Sequence, residues 1–360
     1  MKHAILACAA AALLLPACGS DTPTTPGAAA AINAVSSIST VTAGTMAADS
    51  LVARVVDAKG RGVPSVAVSW LTVGPTFLSP TQVITDEKGY ARTSFRSFGP
   101  AQDVNVVARA LTTTGPQDAV FTVKVVAGPA VAMVGVPVGT LSLPLYGRRT
   151  LDVTAVDAYN NPAPTTLTSS NSSVVEAASG QVTAKAPGNA TVTASAGALQ
   201  ASFPVAVEST ILNESFDTEN GGHAAISYHG FNRWTLGHGD VDLIGAGSEW
   251  DFVPGHGLYV DLDGYYSGGL FMTRDQFVLP AGSYTLTFKL AGSQRGDVNT
   301  VTVAAGSAFS EQFTLASGAP FTTVTRTITL AQPTTVRVSF DQPGADGFGL
   351  LLDDVSLTKN

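Results

Sequence analysis

Asn213-Glu214-Ser215-Phe216-Asp217 and Gly349-Leu350-Leu351-Leu352-Asp353-Asp354-Val355-Ser356-Leu357 stand at the two ends of the C-terminal block 211–360. Each sets carboxylates beside apolar residues. In the second, Leu351, Asp353, Val355 and Leu357 share one face, as residues two apart do in a strand. Asp353 therefore points where its neighbours are apolar, which is costly for a charge without a partner. An acidic cluster at each end of one β-rich segment predicts that its first and last strands lie side by side.

The block between these signatures carries most of the unusual chemistry of the chain. It holds 18 of the 27 aromatic residues and four of the five His. Its 16 Asp and Glu against 7 Lys and Arg give −9, while the remainder, 12 basic against 11 acidic, gives +1. Strands are predicted over 240–244, 257–263, 269–271, 282–291, 299–304, 321–330, 334–341 and 350–358, without a convincing amphipathic helix. That pattern reads as a jelly-roll sandwich.

Alternation sorts the first two of these strands. Val241 and Leu243 oppose Asp240 and Asp242, and Leu258, Val260 and Leu262 oppose Tyr259, Asp261 and Asp263. A face of carboxylates and rings suits a sugar, because carboxylates accept hydrogen bonds from hydroxyls and rings cover the apolar side of a pyranose. The candidate ligand residues are therefore Asp240, Asp242, Asp261, Asp263 and Tyr259, with Trp234, Trp250, Tyr265 and Tyr266 as further rings. For either Trp, a place in the core is the competing assignment. Asp261-x-Asp263-Gly264 matches part of a calcium loop, but the glycine comes too early and the bidentate Glu is missing.

The runs at 231–269 (FNRWTLGHGDVDLIGAGSEWDFVPGHGLYVDLDGYYSGG), 279–292 (LPAGSYTLTFKLAG) and 349–357 (GLLLDDVSL) resemble the DUF642 family and the wider galactose-binding-like jelly rolls. The resemblance implies a cell-surface or cell-wall protein with a carbohydrate-binding type of fold. It also implies a structural Ca²⁺ between the N-terminal segment and the last strand, with Glu214, Asp217, Asp353 and Asp354 at the matching positions. Calcium takes six to eight oxygen ligands, and Asp353 is the better candidate of the last pair. Plant members carry cysteines that this chain lacks.

Upstream lie two shorter β-rich segments. In 32–127, DAKGRGVPSVAVSW (57–70) and TDEKGYARTSF (85–95) each place a turn before a strand, and they resemble the bacterial immunoglobulin-like group 1 domain of invasin and intimin. That implies a seven-strand sandwich of about 100 residues, with Trp70 as a core anchor. In 128–207, the run from Ser169-Ser170-Asn171 to Gly180-Gln181-Val182-Thr183-Ala184-Lys185-Ala186-Pro187-Gly188 resembles the group 2 domain, with Leu167 where the usual Trp would stand. Two sandwiches in series read as spacers. Glu208-Ser209-Thr210 is the expected junction into the 208–360 head.

The N-terminus reads as an export signal over 1–17, with Lys2 and His3 before the apolar run 4–15. About a dozen apolar residues are too few to span a bilayer. Leu15-Pro16-Ala17-Cys18 resembles the lipobox of bacterial lipoproteins, which implies lipidation of Cys18 and anchorage in the bilayer. Gly19 follows where Asp would favour the inner membrane, so an outer-membrane or cell-surface destination is expected. Residues 18–31 lack large apolar side chains and read as a tether.

Cys8 and Cys18 are the only cysteines, which excludes a disulfide framework and a thiolate metal site in the exported chain. The acidic balance excludes nucleic acid as a partner. The His residues lack zinc spacing, and no nucleophile elbow or phosphate loop appears. The expectation is an all-β, non-enzymatic lipoprotein of the cell envelope: two immunoglobulin-like sandwiches in series, then a galactose-binding-like jelly roll that binds glycan. The rivals are a structural or protein–protein adhesion protein without glycan binding, and a glycan-active hydrolase.

Overall fold

The computed structural model describes residues 25–36, 38, 40–344 and 346–360. The export signal and Cys18 lie outside the described residues. Among the described residues the chain is all-β, interrupted only by a 3₁₀ turn at Glu219–Gly222, and no helix is long and apolar enough to cross a membrane. It divides into two compact units, one ending at Gly128 and the other Pro129–Asn360.

The first unit is a two-sheet sandwich. One sheet orders Ala29–Ser36, Leu51–Asp57, Tyr90–Ser97 and Thr76–Ser79; the other orders Thr40–Thr42, Gly115–Val126, Asp103–Thr112, Ala67–Thr72 and Gln82–Ile84. The chain enters through one sheet and then adds Thr40–Thr42 in parallel to the last strand of the other. Its first strand begins at Ala29, inside the stretch expected to be tether. Inward residues of both sheets make the core, including Leu51, Val55, Val68, Phe95, Val106 and Val123, and Trp70 packs at 5.5 Å from Phe121. The turn signals work through carboxylates that accept amides ahead of them: Asp57 takes those of Lys59 (2.9 Å) and Arg61 (3.0 Å), and Asp86 those of Lys88 and Tyr90 (both 2.9 Å).

The second unit opens with a smaller sandwich around Leu143, Val153, Val175, Val182, Val192, Phe203 and Val205. Leu167, in the place expected of a Trp, joins this core. The jelly roll follows without a free linker. Gly147–Thr150 of the sandwich pairs with Gln276–Leu279 of the head, so one five-stranded sheet runs from Val175–Ala178 through both to Thr334–Val336. Glu208, at the expected junction, accepts Ser142 Oγ at 3.0 Å and Arg233 Nη2 at 2.7 Å.

Two sheets form the head. One is six-stranded: Asp242–Gly245, Leu258–Asp261, Leu351–Lys359, Gly282–Ala291 and Thr322–Leu330 in order, with Leu212–Glu214 added on Leu351–Lys359. The other orders Trp234–Leu236, Leu270–Thr273, Val338–Asp341, Val298–Ala305 and Phe309–Ala316. First and last strands do meet, with Leu212 opposite Leu357 and Glu214 opposite Val355. Between the sheets Phe216, Phe231, Trp234, Phe271, Phe288 and Phe340 are all buried. The single strand expected over 334–341 is two, because the chain changes sheets at Arg337, whose carbonyl accepts the Gly306 amide at 3.0 Å. The strands Gln276–Leu279 and Phe309–Ala316 were not foreseen from the sequence.

Candidate functional site

The hairpin of Asp242–Gly245 and Leu258–Asp261 floors a cleft. Asp242 and Asp261 are direct cross-strand partners, and both turn away from the core that takes Leu243 and Val260. The predicted alternation thus holds, and it brings two carboxylates onto one face. Five segments complete the walls: that of Ile226 and Ser227 before the hairpin, 246–257 between its strands, 262–269 after them, 292–297 after Gly282–Ala291, and the loop carrying Asp346, Gly347 and Phe348 before the last strand. The cleft measures about 570 Å³, and its walls include Trp250, Phe252, Tyr265, Tyr266, Arg295, Asp346 and Phe348.

Its electrostatics are organised around Arg295. The guanidinium lies between two rings, 4.7 Å from the Phe252 centroid and 4.9 Å from that of Phe348. It donates to Asp261 Oδ2 at 2.5 Å, to the Gly347 carbonyl at 2.6 Å and to the Ser293 carbonyl at 3.0 Å. Planar stacking combined with several fixed donors is a geometry that Arg supplies and Lys does not. Burial pushes the Asp261 carboxyl up to about 7, although Arg295 pulls the other way. Asp242 is raised by burial too, against the amides of Ser227 (2.7 Å) and Tyr265 (3.4 Å), which donate to its Oδ1.

The rings at the mouth are wet. Tyr265 is 69% exposed, Tyr266 74% and Trp250 37%, against 0% for Trp234, so the two tryptophans divide between the two roles the sequence left open. Trp250 lines the cleft. Trp234 is a core residue, stacked on Phe271 at 4.7 Å, and does not belong to the ligand face. Tyr259 is likewise buried: its strand faces the cleft, but its ring lies beneath it with Ile244 and Leu351. Its hydroxyl donates to Asp251 Oδ1 (3.2 Å) and accepts the Val253 amide (3.0 Å), so it props the loop that carries Trp250 and Phe252.

Asp240 and Asp263 sit beside the cleft and are not part of its lining. Asp240 accepts Ser227 Oγ at 2.6 Å and stands 3.5 Å from His229 Nε2. Asp263 is fully buried, and its carboxylate faces the Asp346 carboxyl and the amides of Asp346 and Gly347. Burial, and then the neighbouring Asp346 carboxyl, push it up to about 6.

The expected calcium ligands are separately engaged. Glu214 accepts the Phe216 amide at 3.0 Å, and burial raises its carboxyl. Asp217 accepts the Leu258 amide at 2.9 Å, and an ideal Cβ on Gly257 (φ +68°) would lie 1.9 Å from the same oxygen. Asp354 is ion-paired with Lys289 at 2.5 Å. Asp353 is buried and pushed up to about 7 by burial and then by Asp354, with Asp217 adding to the effect. Among the described residues no group of three or more His, Cys, Asp or Glu is arranged to hold a metal.

Arg295, Phe252, Asp346 and Phe348 escaped the sequence reading because they lie on three loops distant in the chain. The one available signal was Arg295 itself, a lone cation in a glycine-flanked turn, Gly292-Ser293-Gln294-Arg295-Gly296, of a strongly acidic block.

No protein-family description and no curated protein matches the chain. Similar solved structures include the D0–D1 domain of intimin, 18% identical over 50% of this chain and 96% of that one, with a TM-score of 0.23. Another is TmCBM61 in complex with β-1,4-galactotriose, 20% identical over 36% of this chain and 90% of that one, TM-score 0.26. A third is the K1 cleaved adhesin domain of Lys-gingipain from Porphyromonas gingivalis, 19% identical over 41% of this chain and 98% of that one, TM-score 0.29. None of these three spans more than 50% of this chain, and the fold described above rests on the chain's own strand pairing.

Proposed function

We propose that the head binds a glycan in this cleft and that the chain presents it from the cell envelope, anchored through a lipidated Cys18. The observation that carries the reading is the cleft's composition. Exposed rings of Trp250, Tyr265, Tyr266 and Phe348 surround the carboxylates of Asp242, Asp261 and Asp346. Aromatic rings are otherwise used in this head to fill the core, so four left at one mouth suit a partner with an apolar face and many hydroxyls. The volume lies within the range of about 300–1,000 Å³ usual for small-ligand sites. Asp261 is held by Arg295, and the site is read as one that binds.

A structural calcium belongs to the same reading. The Asp217 charge adds to the cost of charging buried Asp353 at the strand closure, and an oxygen-seeking cation there would offset that cost with exposed Asp217 beside it. These two would hold it; Glu214 stands by, and Asp354 is committed to Lys289.

Glycan-array binding by the full chain, compared with its Trp250→Ala variant, tests the first proposal. Binding that falls at least about tenfold in the variant supports it, and an array with no glycan retained by the parent chain overturns it. For the anchor, Cys18→Ser should release the chain from membrane fractions; a variant still in the membrane pellet sinks that part alone.

A further inference from the structure

We infer that the glycan taken by this cleft carries a protonated amine, as an unacetylated hexosamine does. The inference rests on the glycan reading and goes beyond it in naming the charge of the ligand.

Acceptors are open in the cleft, while its one cation is consumed. Asp242 uses Oδ1 for the amides of Ser227 and Tyr265, and its Oδ2 has no hydrogen bond among the described residues. Asp346 is exposed, and its Oδ1 takes the Phe348 amide at 3.1 Å. Arg295, the only basic residue in the lining among the described residues, is paired with Asp261 and directs further donors at the carbonyls of Ser293, Gly347 and Gly349, and both its faces are covered by rings.

A sugar carboxylate or sulfate entering here would meet the carboxylates of Asp242 and exposed Asp346 and no unpaired cation, a like-charge encounter that disfavours binding. Neutral hydroxyls satisfy the acceptors through ordinary hydrogen bonds. An ammonium group does so through charge-assisted bonds, which are shorter and roughly twice as strong. The rings of Trp250 and Tyr265 add to this, since aromatic faces attract cations electrostatically. The −9 balance of the surrounding block draws cationic ligands in the same direction.

The test is calorimetric titration of the full chain at low ionic strength with three oligosaccharides of equal length. They are a β-1,4-linked glucosamine oligomer, its fully N-acetylated counterpart and an oligogalacturonate. The glucosamine oligomer should bind at least about tenfold more tightly than the acetylated one, and the galacturonate not measurably. Asp242→Asn, which retains an oxygen for the Ser227 and Tyr265 amides, should shrink the preference for the amine to a few-fold, with its melting temperature reporting that it folds. Equal affinity for the amine and acetylated probes, tighter binding of the galacturonate, or an unchanged preference in Asp242→Asn overturns the inference. If all three probes fail while other glycans bind on the array, this inference falls alone. If no glycan binds at all, the glycan reading falls with it.

Discussion

Arg149 and Asp275, 126 positions apart, join the second sandwich to the head through two parallel hydrogen bonds of 2.6 Å. The pair sits beside a strand pairing that crosses the same junction, and Leu145 and Tyr146 pack against the head's core. The head is therefore completed by residues that precede it.

Asp275→Ala should destabilise Pro129–Asn360 by about 2 kcal/mol, between the values for exposed and fully buried pairs because Arg149 keeps some contact with water. A fragment beginning at residue 208 should unfold at a lower urea concentration than one beginning at 129. Equal midpoints for the two fragments would show that the junction contributes nothing to the fold.

The two tryptophans of the head should separate stability from binding. Trp234→Ala empties a fully buried site and should cost about 3–5 kcal/mol. Trp250→Ala, at the cleft mouth, should change stability by less than about 1 kcal/mol and still lower glycan binding at least about tenfold. Chemical denaturation run alongside an array experiment reads both; a Trp250 variant that unfolds as readily as the Trp234 one contradicts the assignment.

Acid should act in opposite directions on the two units. In the head, burial raises Asp261 and Asp353 to about 7 and Asp263 to about 6 from 3.8. Across that window the folded head binds protons that the unfolded chain has released, so its stability falls as pH rises from about 4 to about 7 and is level above. The first unit holds Asp57, Asp86 and Asp118 below the ordinary value, through amides for the first two and Arg109 for the third. Its stability is full above 3.8 and is lost as pH falls further. In the presence of EDTA, separate melting of the two units should show the head gaining about 1 kcal/mol or more between pH 7 and about pH 5, with no such gain in the first unit. A head that loses stability over that interval refutes the assignment.

Calcium should reverse the sign for Asp353. With the cation bound, the carboxylate is wanted charged, so Asp353 would add stability as pH rises toward 7 while Asp261 and Asp263 still subtract it, and the head should lose less over that interval than it does in EDTA. Melting temperatures with calcium and with EDTA, in the parent and in Asp353→Asn, check this; parent curves that coincide with calcium and with EDTA would remove calcium from the strand closure.

Much of the head was legible because its strands are one-sided. Val241 against Asp242, and Val260 against Asp261, declare which face is buried, and the structure follows them. Period-two alternation names a face but not its depth, however. Tyr259 lies on the same side as Asp261, yet under the cleft instead of in it, because the loop through Asp251 and Val253 folds over its hydroxyl. Nor can alternation tell one buried tryptophan from one exposed: Trp234 sits in a short strand between aromatic neighbours, and Trp250 on a loop. Arg295 stayed hidden for a different reason. Its role is set by Phe252 and Phe348, and no local spacing reports a meeting of loops so far apart in the chain.

Tyr259 lies beneath the cleft, yet its hydroxyl holds Asp251 and Val253 of the loop that carries Trp250. A ring held in place before contact loses little freedom on binding, and preorganisation of this kind lengthens the life of a complex more than it speeds encounter. Replacing the hydroxyl alone would leave the cleft's chemistry untouched while letting its wall drift. On the glycan reading proposed above, the residence time of the ligand would be set in part by a side chain that the ligand does not touch.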